Sequence, residues 1–429
     1  MTLSQKYMNR EIIKEKLRDI RDKGEPMETG IPLSYRTGTR KFNSFEVPLA
    51  YLMYNKKNGR IASRVKSYEK EKEEIDVETK EGKAIIERFL LAAHPSDNKR
   101  TEESIARKGQ LVRGIVTTEG IIVDGNRRAS ILNKINEERE YWVKKGIEVG
   151  HAKYFTTIIL PDDITREEVE EIEIETQFGE EEKVDYNPIE KYLKAKDLSN
   201  SSKSNFDISR AMGLGDDAKT IDTYLMVMKL MDEYLEYLGY DGIYTQLDDR
   251  EGQLLDLYNA LKKYNRGSGV CWGCDETDIN EFKCLAFEFI RSRYEGKEFR
   301  ELFIIFGKEK SIWNKFKEKT FNFIESVKEK EPKVDEILES NTNDETKALK
   351  ERDEGFRKQV ITELTNNLEE GMAIIKDLED SDKPDKLINR AMSALQSINP
   401  DSIVRDKKEE TKEGLEKIRD LILRLIKRF

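Results

Sequence analysis

The sequence predicts an α+β protein, in which a small α/β region on the N-terminal side precedes a predominantly α-helical C-terminal region. Short β-branched segments separated by glycine-containing turns occur before residue 160. After Pro188 the apolar residues recur at helical spacing almost to the last residue. The chain has 429 residues. At roughly 150 residues per domain, this length corresponds to about three domains.

The composition excludes several classes of protein. Charged residues make up 38% of the chain and hydrophobic residues 37%, and 76 Lys+Arg against 86 Asp+Glu give a net charge of −10. The apolar residues are clustered and periodic, so the chain is not disordered throughout. No apolar run approaches the ~20 residues that span a bilayer, and the N-terminus lacks the apolar core of a signal peptide. Three cysteines cannot form a disulfide framework. We therefore expect a cytoplasmic protein with no membrane partner.

The first predicted elements are a charged helix, a strand and a second helix. Residues 1–23 indicate the charged helix, and the glycines and proline of residues 24–30 end it. Residues 45–53 are apolar, with Pro48 near the start, which predicts a short edge strand because proline cannot donate to a sheet. Residues 82–93 have helical apolar spacing.

A hairpin, a helix and a strand follow. Residues 111–116 and 121–123 flank a turn and predict a β-hairpin. Helical spacing over residues 127–135 predicts a helix, and residues 154–160 read as a strand. Thr165 and Glu168 have the spacing of a capping box, which begins another helix.

The region after Pro188 is predicted to be a helical assembly. Breaks are expected at Pro332, residues 341–344, residues 380–384 and Pro400. Spacing close to a heptad favours an antiparallel bundle or a short coiled coil, and we expect a homo-oligomer formed through these C-terminal helices. The residues of this repeat are Ile361, Leu364, Leu368, Met372, Ile375 and Leu378.

Five segments follow from these patterns. They are an N-terminal helical arm (1–35), an α/β domain (36–185), a helix-turn-helix-like module (186–245), a helical domain (246–335) and a helical assembly region (336–429).

The most informative feature for function lies at residues 121–129. Here a predicted strand ends in Asp124-Gly125, and a predicted helix begins with Arg127 and Arg128 in its first turn. Cations oppose the helix dipole at this end, so two arginines there make sense if an anion lies between them and the free backbone N–H groups. Phosphate is the obvious anion. Asp124 could orient an arginine, hold a metal ion or act on a water molecule. The alternative is an ordinary Asp-Gly turn with surface ion pairs.

A strongly basic stretch precedes this turn. Between residues 36 and 66 there are eight basic residues and one acidic residue, or +7 in an acidic protein. This stretch is either an ordinary solvated surface or an edge that contacts phosphate groups of a nucleotide or DNA. The basic residues are Arg36, Arg40, Lys41, Lys56, Lys57, Arg60, Arg64 and Lys66.

Three blocks in order resemble the ParB/sulfiredoxin superfamily over roughly residues 45–235. The first block is Asp124-Gly125-Asn126-Arg127-Arg128 after its hairpin. The second runs through residues 174–177 to 186–190 and resembles the ParB segment that leads into Asn-Pro-x-Glu. The third, residues 208–230, is similar to the helix-turn-helix that follows in ParB proteins. Asn126 stands where the family has Glu, and no cysteine occupies the turn, so sulfiredoxin chemistry is excluded.

The resemblance implies a nucleotide-binding α/β domain that takes CTP or ATP with Mg²⁺. Gly125, Asn126, Arg127 and Arg128 fall on the family's phosphate-binding block, and Arg60 belongs to a basic motif that approaches the same phosphates. Glu175 matches a family glutamate that positions metal or water, so Glu175 and Asp124 are the candidate catalytic residues.

The third block predicts a helix-turn-helix-like pair. Asp207 can cap a helix over residues 208–212, and a glycine turn leads to a second helix over 218–231. Lys219 and Thr220 are the candidate DNA contacts at the start of the second helix. Three neighbouring carboxylates make this a poor surface for duplex DNA, and a packing role is the alternative.

The cysteines and the acidic runs have simpler interpretations. Cys271, Cys274 and Cys284 offer three thiols without a nearby histidine, whereas structural zinc takes four ligands, so we expect reduced structural cysteines. The acidic runs at residues 167–175 and 180–182 are interpreted as solvated helix faces.

Three functions remain open. The first is a nucleotide-dependent, DNA-associated regulator or defence factor that hydrolyses an NTP. The second is a nuclease or phosphotransfer enzyme of the same superfamily, in which Asp124 and Glu175 hold the metal. The third is a non-enzymatic interaction protein.

Overall fold

The N-terminal half of the chain forms one small mixed sheet with helices around it. A computed structural model describes residues 10–35, 38–93, 95–178, 188–294, 296–340, 345–399 and 407–428. The elements before residue 179 are α1 (Arg10–Lys23), β1 (Glu28–Tyr35), β2 (Gly38–Pro48), α2 (Ala62–Glu71), α3 (Lys80–Ala93), α4 (Pro95–Lys108), β3 (Gly114–Val116), β4 (Ile122–Asp124), α5 (Asn126–Glu137), α6 (Arg139–Lys144), β5 (Tyr154–Ile159) and α7 (Arg166–Phe178).

The sheet has five strands in the order β1-β2-β5-β3-β4. The β3–β5 pair is parallel and the other pairs are antiparallel. The predicted edge strand over residues 45–53 is corrected: β2 begins earlier, ends at Pro48, and lies between β1 and β5. Pro48 is tolerated because the residues paired with β1 end at Ser44, so β5 alone pairs with this end of β2.

Several local predictions are confirmed. The predicted hairpin is the antiparallel β3–β4 pair, and the predicted helix over 82–93 is α3. The capping box forms as expected: the Thr165 N–H donates to Glu168 Oε2 at 2.8 Å, and the Glu168 N–H donates to Thr165 Oγ1 at 3.2 Å. A side-chain pair three residues apart therefore determines where α7 begins.

The N-terminal segment is not a separate arm. Ile13 and Leu17 on α1 are buried in the same apolar core as Val47 of β2 and Ile131 of α5. The residues predicted as an arm (1–35) thus contribute a helix and the strand β1 to the sheet domain, as far as they are described.

The remainder is helical, as predicted. Its elements are α8 (Pro188–Asn200), α9 (Asn205–Ala211), α10 (Ala218–Leu238), α11 (Glu251–Tyr264), α12 (Glu276–Arg291), α13 (Gly296–Lys308), α14 (Lys310–Lys328), α15 (Val334–Ser340), α16 (Glu345–Gln396) and α17 (Lys408–Ile426).

One apolar core runs through most of this helical region. It extends from Ile189 on α8 to Ile375 on α16, so the boundaries predicted at 245 and 335 fall inside a shared core. The heptad-like stripe of α16 packs against α13 and α14, with Leu364 and Leu368 buried. The predicted antiparallel packing of helices thus forms within the chain.

The break predicted at residues 380–384 is wrong, because α16 continues through Pro384 to Gln396. A proline removes one backbone hydrogen bond and the turns on either side keep theirs, so a long helix can bend and continue. The breaks predicted at 341–344 and Pro400 lie outside the described residues. Among the described helices, none is both long enough and apolar enough to cross a membrane.

Candidate functional site

The strand–turn–helix at Asp124 forms as the sequence predicts. β4 ends at Asp124, Gly125 has φ +99°, and α5 begins at Asn126. No side chain among the described residues caps α5, and the first bond of the helix runs from the Ala129 N–H to the Gly125 carbonyl at 2.9 Å. The preceding N–H groups therefore stand at the positive end of the helix dipole, which is a favourable place for an anion.

Asn126 serves this turn structurally. Its Oδ1 accepts the Asn55 N–H at 2.9 Å, and its Nδ2 donates to the Ile122 carbonyl at 3.0 Å. The residue is 2% exposed. The Asn126 amide therefore holds the turn together, and the predicted contact of Asn126 with phosphate stays a prediction.

The bond to Asn55 places a second turn beside α5. In this turn Asn55 Oδ1 accepts the Lys57 N–H at 2.9 Å, and Asn58 Oδ1 accepts the Arg60 N–H at 3.1 Å. Asparagine side chains that bond to the backbone two residues ahead fix such turns locally. The turn directs Arg60 toward the helix start, where its charge acts on Arg127.

Arg127 lies close to two other arginines and one carboxylate. Burial lowers the pKa of its guanidinium, the charges of Arg60 and Arg128 lower it further, and Asp97 opposes them. Mutual repulsion between arginines is unfavourable in the unliganded protein and is relieved by an anion. The structure therefore brings together three of the predicted phosphate ligands, Arg60, Arg127 and Arg128.

Two residues of α4 hold the Arg127 side chain. Arg127 Nε donates to Asn98 Oδ1 at 2.5 Å, and Nη2 donates to Thr101 Oγ1 at 3.3 Å. Both acceptors are neutral, so they orient the guanidinium and leave its charge available. Sequence reasoning missed Asn98 and Thr101, since α4 carries no motif that relates it to residue 127.

Asp124 orients Arg128. Arg128 Nη2 donates to Asp124 Oδ2 at 2.8 Å and to the Arg113 carbonyl at 2.9 Å. The buried Arg128 Nε has no hydrogen-bond partner among the described residues. Of the three roles open to Asp124, orientation of an arginine is the one that these contacts support.

Glu175 lies on α7, a helix that packs against β4. It is exposed on α7 and lines a separate groove with Glu171, Lys203 and Arg210. Asp124 is not part of the lining of that groove. In the described ranges, no group of three or more His, Cys, Asp or Glu side chains is arranged to hold a metal ion.

The helix-turn-helix-like pair is α9 and α10. Ser204 caps α9 in place of the predicted Asp207, because Ser204 Oγ accepts the Asp207 N–H at 3.2 Å. Lys219 is exposed at the start of α10. The Thr220 hydroxyl donates to Asp217 Oδ2 at 2.6 Å and so belongs to the cap of α10. Lys219 is thus the better placed of the two candidate DNA contacts.

The cysteine loop packs against the end of α13. The Cys271 N–H donates to the Gly307 carbonyl at 2.7 Å, and Trp272 Nε1 donates to the Phe306 carbonyl at 2.8 Å. All three cysteines are free thiols, and burial raises the pKa of Cys274 and Cys284. A raised pKa disfavours the thiolate, so these two side chains are poor nucleophiles.

Glu190 is a buried carboxyl that connects the two halves of the chain. It lies on α8, and its oxygens accept the Ser63 N–H at 3.2 Å and the Ser63 hydroxyl at 2.5 Å. Ser63 is in the first turn of α2, so Glu190 supplies that helix start with an acceptor. Burial raises the pKa of Glu190 to about 7.

The groups at the start of α5 are suited to binding an anion that carries several oxygen atoms. Backbone N–H groups, a held Arg127 and the neighbouring Arg60 offer donors there, and the partners of Arg127 are neutral, so they leave its charge available. No protein-family model, no curated protein and no solved structure matches this chain.

Proposed function

We propose that this chain binds a nucleoside triphosphate at the N-terminus of α5 and hydrolyses it in association with DNA. The observation that carries the proposal is the uncapped start of α5, where the charges of Arg60 and Arg128 act on the half-buried Arg127. A triphosphate offers the oxygens and the charge that such a group of donors binds. The three sequence blocks that resemble ParB proteins support the same ligand class, CTP or ATP.

The chemistry follows from the positions of the arginines. Arg127, held by Asn98, would bind oxygens of the transferring phosphoryl group and stabilise the charge that develops there. Arg128, held by Asp124, would keep the end of β4 in place beside the phosphates. The proposed hydrolysis depends on charge stabilisation and positioning by these residues.

Mg²⁺ fits this site as a companion of the triphosphate. An Mg²⁺ ion bound to phosphate oxygens and water needs only one or two carboxylates from the protein. Asp97, whose charge acts on Arg127, is the carboxylate that would hold it. Bound there, the ion would neutralise part of the phosphate charge.

The test compares Arg127→Ala with the wild type. Each protein is incubated with ATP, CTP, GTP or UTP and Mg²⁺, with and without duplex DNA, and phosphate release is measured. We expect turnover in the wild type and a loss of about 10²–10³-fold in Arg127→Ala, because one preorganised donor to a developing charge is removed. Arg107→Ala, an exposed arginine on α4, is the matched control and should keep its turnover.

Two outcomes would replace the proposal. DNA cleavage that needs no NTP would favour the nuclease. If the wild type neither binds nor hydrolyses any of the four nucleotides, the proposal is wrong and an interaction protein remains.

A further inference from the structure

A large cavity lies where the sheet domain meets the helical region. Its volume is about 910 Å³, within the range that small-molecule sites occupy. The loop before α2 and the end of α3 form one side of it, with Arg60, Ser63 and Ala93. The segment at the start of α11 forms the other side.

This cavity and the proposed phosphate site share Arg60. Arg60 lines the cavity and its charge also acts on Arg127. Ala93, another lining residue, ends α3 just before α4, which carries the Asn98 that holds Arg127. A ligand whose phosphates bind Arg60 can therefore reach into the cavity.

Carboxylates line the opposite side, and partners hold three of them. Tyr192 donates its hydroxyl to Glu251 Oε1 at 2.6 Å, and Lys350 Nζ donates to Asp248 Oδ2 at 3.3 Å. Arg300 Nε donates to Asp256 Oδ2 at 3.0 Å. Ionised carboxylates only accept hydrogen bonds, and they repel phosphate, so this side suits the donors of a sugar and a base.

We propose that the cavity holds the nucleoside part of the nucleotide, with Glu251 and Asp248 accepting hydrogen bonds from ribose hydroxyls or an exocyclic amino group. This inference rests on the proposed function, since the phosphates are placed by Arg60 and Arg127. The side with Arg60 and the side with the carboxylates together favour one orientation of the ligand. In this orientation the phosphates contact the arginines and the nucleoside contacts the carboxylates. The ligand then contacts both halves of the chain.

The test separates the two parts of the ligand. Binding of inorganic tripolyphosphate, ATP and CTP, each with Mg²⁺, is measured by calorimetry for the wild type, Arg127→Ala, Glu251→Gln and Asp248→Asn. Arg127→Ala should weaken all three ligands. Glu251→Gln and Asp248→Asn should weaken the binding of ATP or CTP by about tenfold and leave that of tripolyphosphate unchanged, because a hydrogen bond to a charged acceptor becomes a weaker one to a neutral acceptor.

Glu236→Gln provides the control, since Glu236 is exposed on α10 away from the cavity, and it should bind all ligands as the wild type does. The unfolding midpoint of each variant checks that the fold is kept. If neither cavity variant changes the binding of ATP or CTP while tripolyphosphate binds normally, the inference is overturned and the phosphate site stands. If the wild type binds none of the three, the proposed function fails and the inference fails with it.

Discussion

Gly125 is the residue on which the candidate site depends most directly. Its φ of +99° disfavours any other residue, and a Cβ atom there would lie 2.6 Å from Phe155 Cζ. Gly125→Ala should therefore destabilise the protein by about 2–4 kcal/mol, as the sum of backbone strain and a clash in the core. The free energy of unfolding in urea measures this.

Gly146→Ala is the matched control. Gly146 also has a positive φ, +74°, but its Cβ would meet no atom within 4 Å. We expect only the backbone cost of about 1–2 kcal/mol. Equal losses in the two variants would show that the contact with Phe155 adds nothing.

Glu190 gives the stability a pH dependence. The pKa of its carboxyl is about 7 in the folded protein against 4.5 for an ordinary glutamate, because burial disfavours the charged form. Between pH 4.5 and 7 the folded protein holds this proton and the unfolded chain releases it. The stabilisation that protonated Glu190 contributes is therefore fully present below pH 4.5 and is lost as the pH rises to 7. The loss approaches about 3 kcal/mol.

Glu190→Gln tests this assignment. Glutamine keeps an acceptor for Ser63 and carries no charge at any pH. The difference in unfolding free energy between variant and wild type should grow in favour of the variant from pH 4.5 to 7. A difference that stays constant over this range would contradict the assignment to Glu190.

At the level of single residues, the sequence predicts those roles that depend on neighbouring residues in the chain. Gly125, Arg127 and Arg128 could be identified because a strand end, a turn and a helix start are adjacent in the chain. Asn98 could not, because its role depends on how α4 packs beside α5 about 30 residues away, and no local pattern encodes that packing. Asn126 shows the same limit, since its burial depends on the turn at Asn55.

Among the helices and strands, the sequence correctly predicts those whose pattern lies within a few neighbouring residues. The capping box of α7 and the β3–β4 hairpin need only neighbouring residues. The extent of β2 was not predicted, because its first half is polar and is held by pairing with β1. The sequence predicts Asp207 as the cap of α9, whereas the cap is Ser204, which offers an equally suitable oxygen three residues earlier.

The α9–α10 pair, which the sequence predicts to be helix-turn-helix-like, carries the wrong charge for tight DNA binding at the start of α10. Asp216 and Asp217 stand at the start of α10 beside Lys219, and Asp216 already engages Arg210 at 2.6 Å. We predict that the double variant Lys219→Ala/Thr220→Ala and the wild type bind duplex DNA equally weakly, because the double variant loses few phosphate contacts. Gel shifts at two salt concentrations measure this.

Lys229→Ala is the control for this pair, since Lys229 is an exposed lysine farther along α10. A salt-dependent shift in the wild type that vanishes in the double variant, and persists in Lys229→Ala, would overturn the prediction and make α10 a DNA-reading helix.

At the level of the whole molecule, α2 joins the two halves. Its first turn bonds to Glu190, Lys66 Nζ lies 2.5 Å from Asp197 Oδ1, and Ser67 Oγ accepts the Thr245 N–H at 3.1 Å. The basic stretch that the sequence marked as an outlier thus includes residues that hold the halves together. Its excess of charge serves this junction as well as the candidate phosphate site.

The C-terminal helix α17 has no buried residue. A broad apolar stripe on it stands exposed, and isolated apolar faces of this size mark association surfaces. The exposed side chains are Leu415, Ile418, Leu421, Ile422, Leu423, Leu425 and Ile426, at 38–62% exposure. Leu415, Ile418, Ile422 and Leu425 follow the alternating spacing of three and four residues that lines a helix–helix seam.

We predict that this seam pairs with a second copy of the chain. Ile422→Asp should weaken self-association at least about tenfold, because burial of an isoleucine contributes about 1.5–3 kcal/mol and the substitution also buries a charge. Sedimentation equilibrium of the full chain measures the change. Leu423→Asp places the same change beside the seam, not in it, and should have a smaller effect. A monomeric wild type, or equal effects of the two variants, would show that this stripe is not the contact between copies.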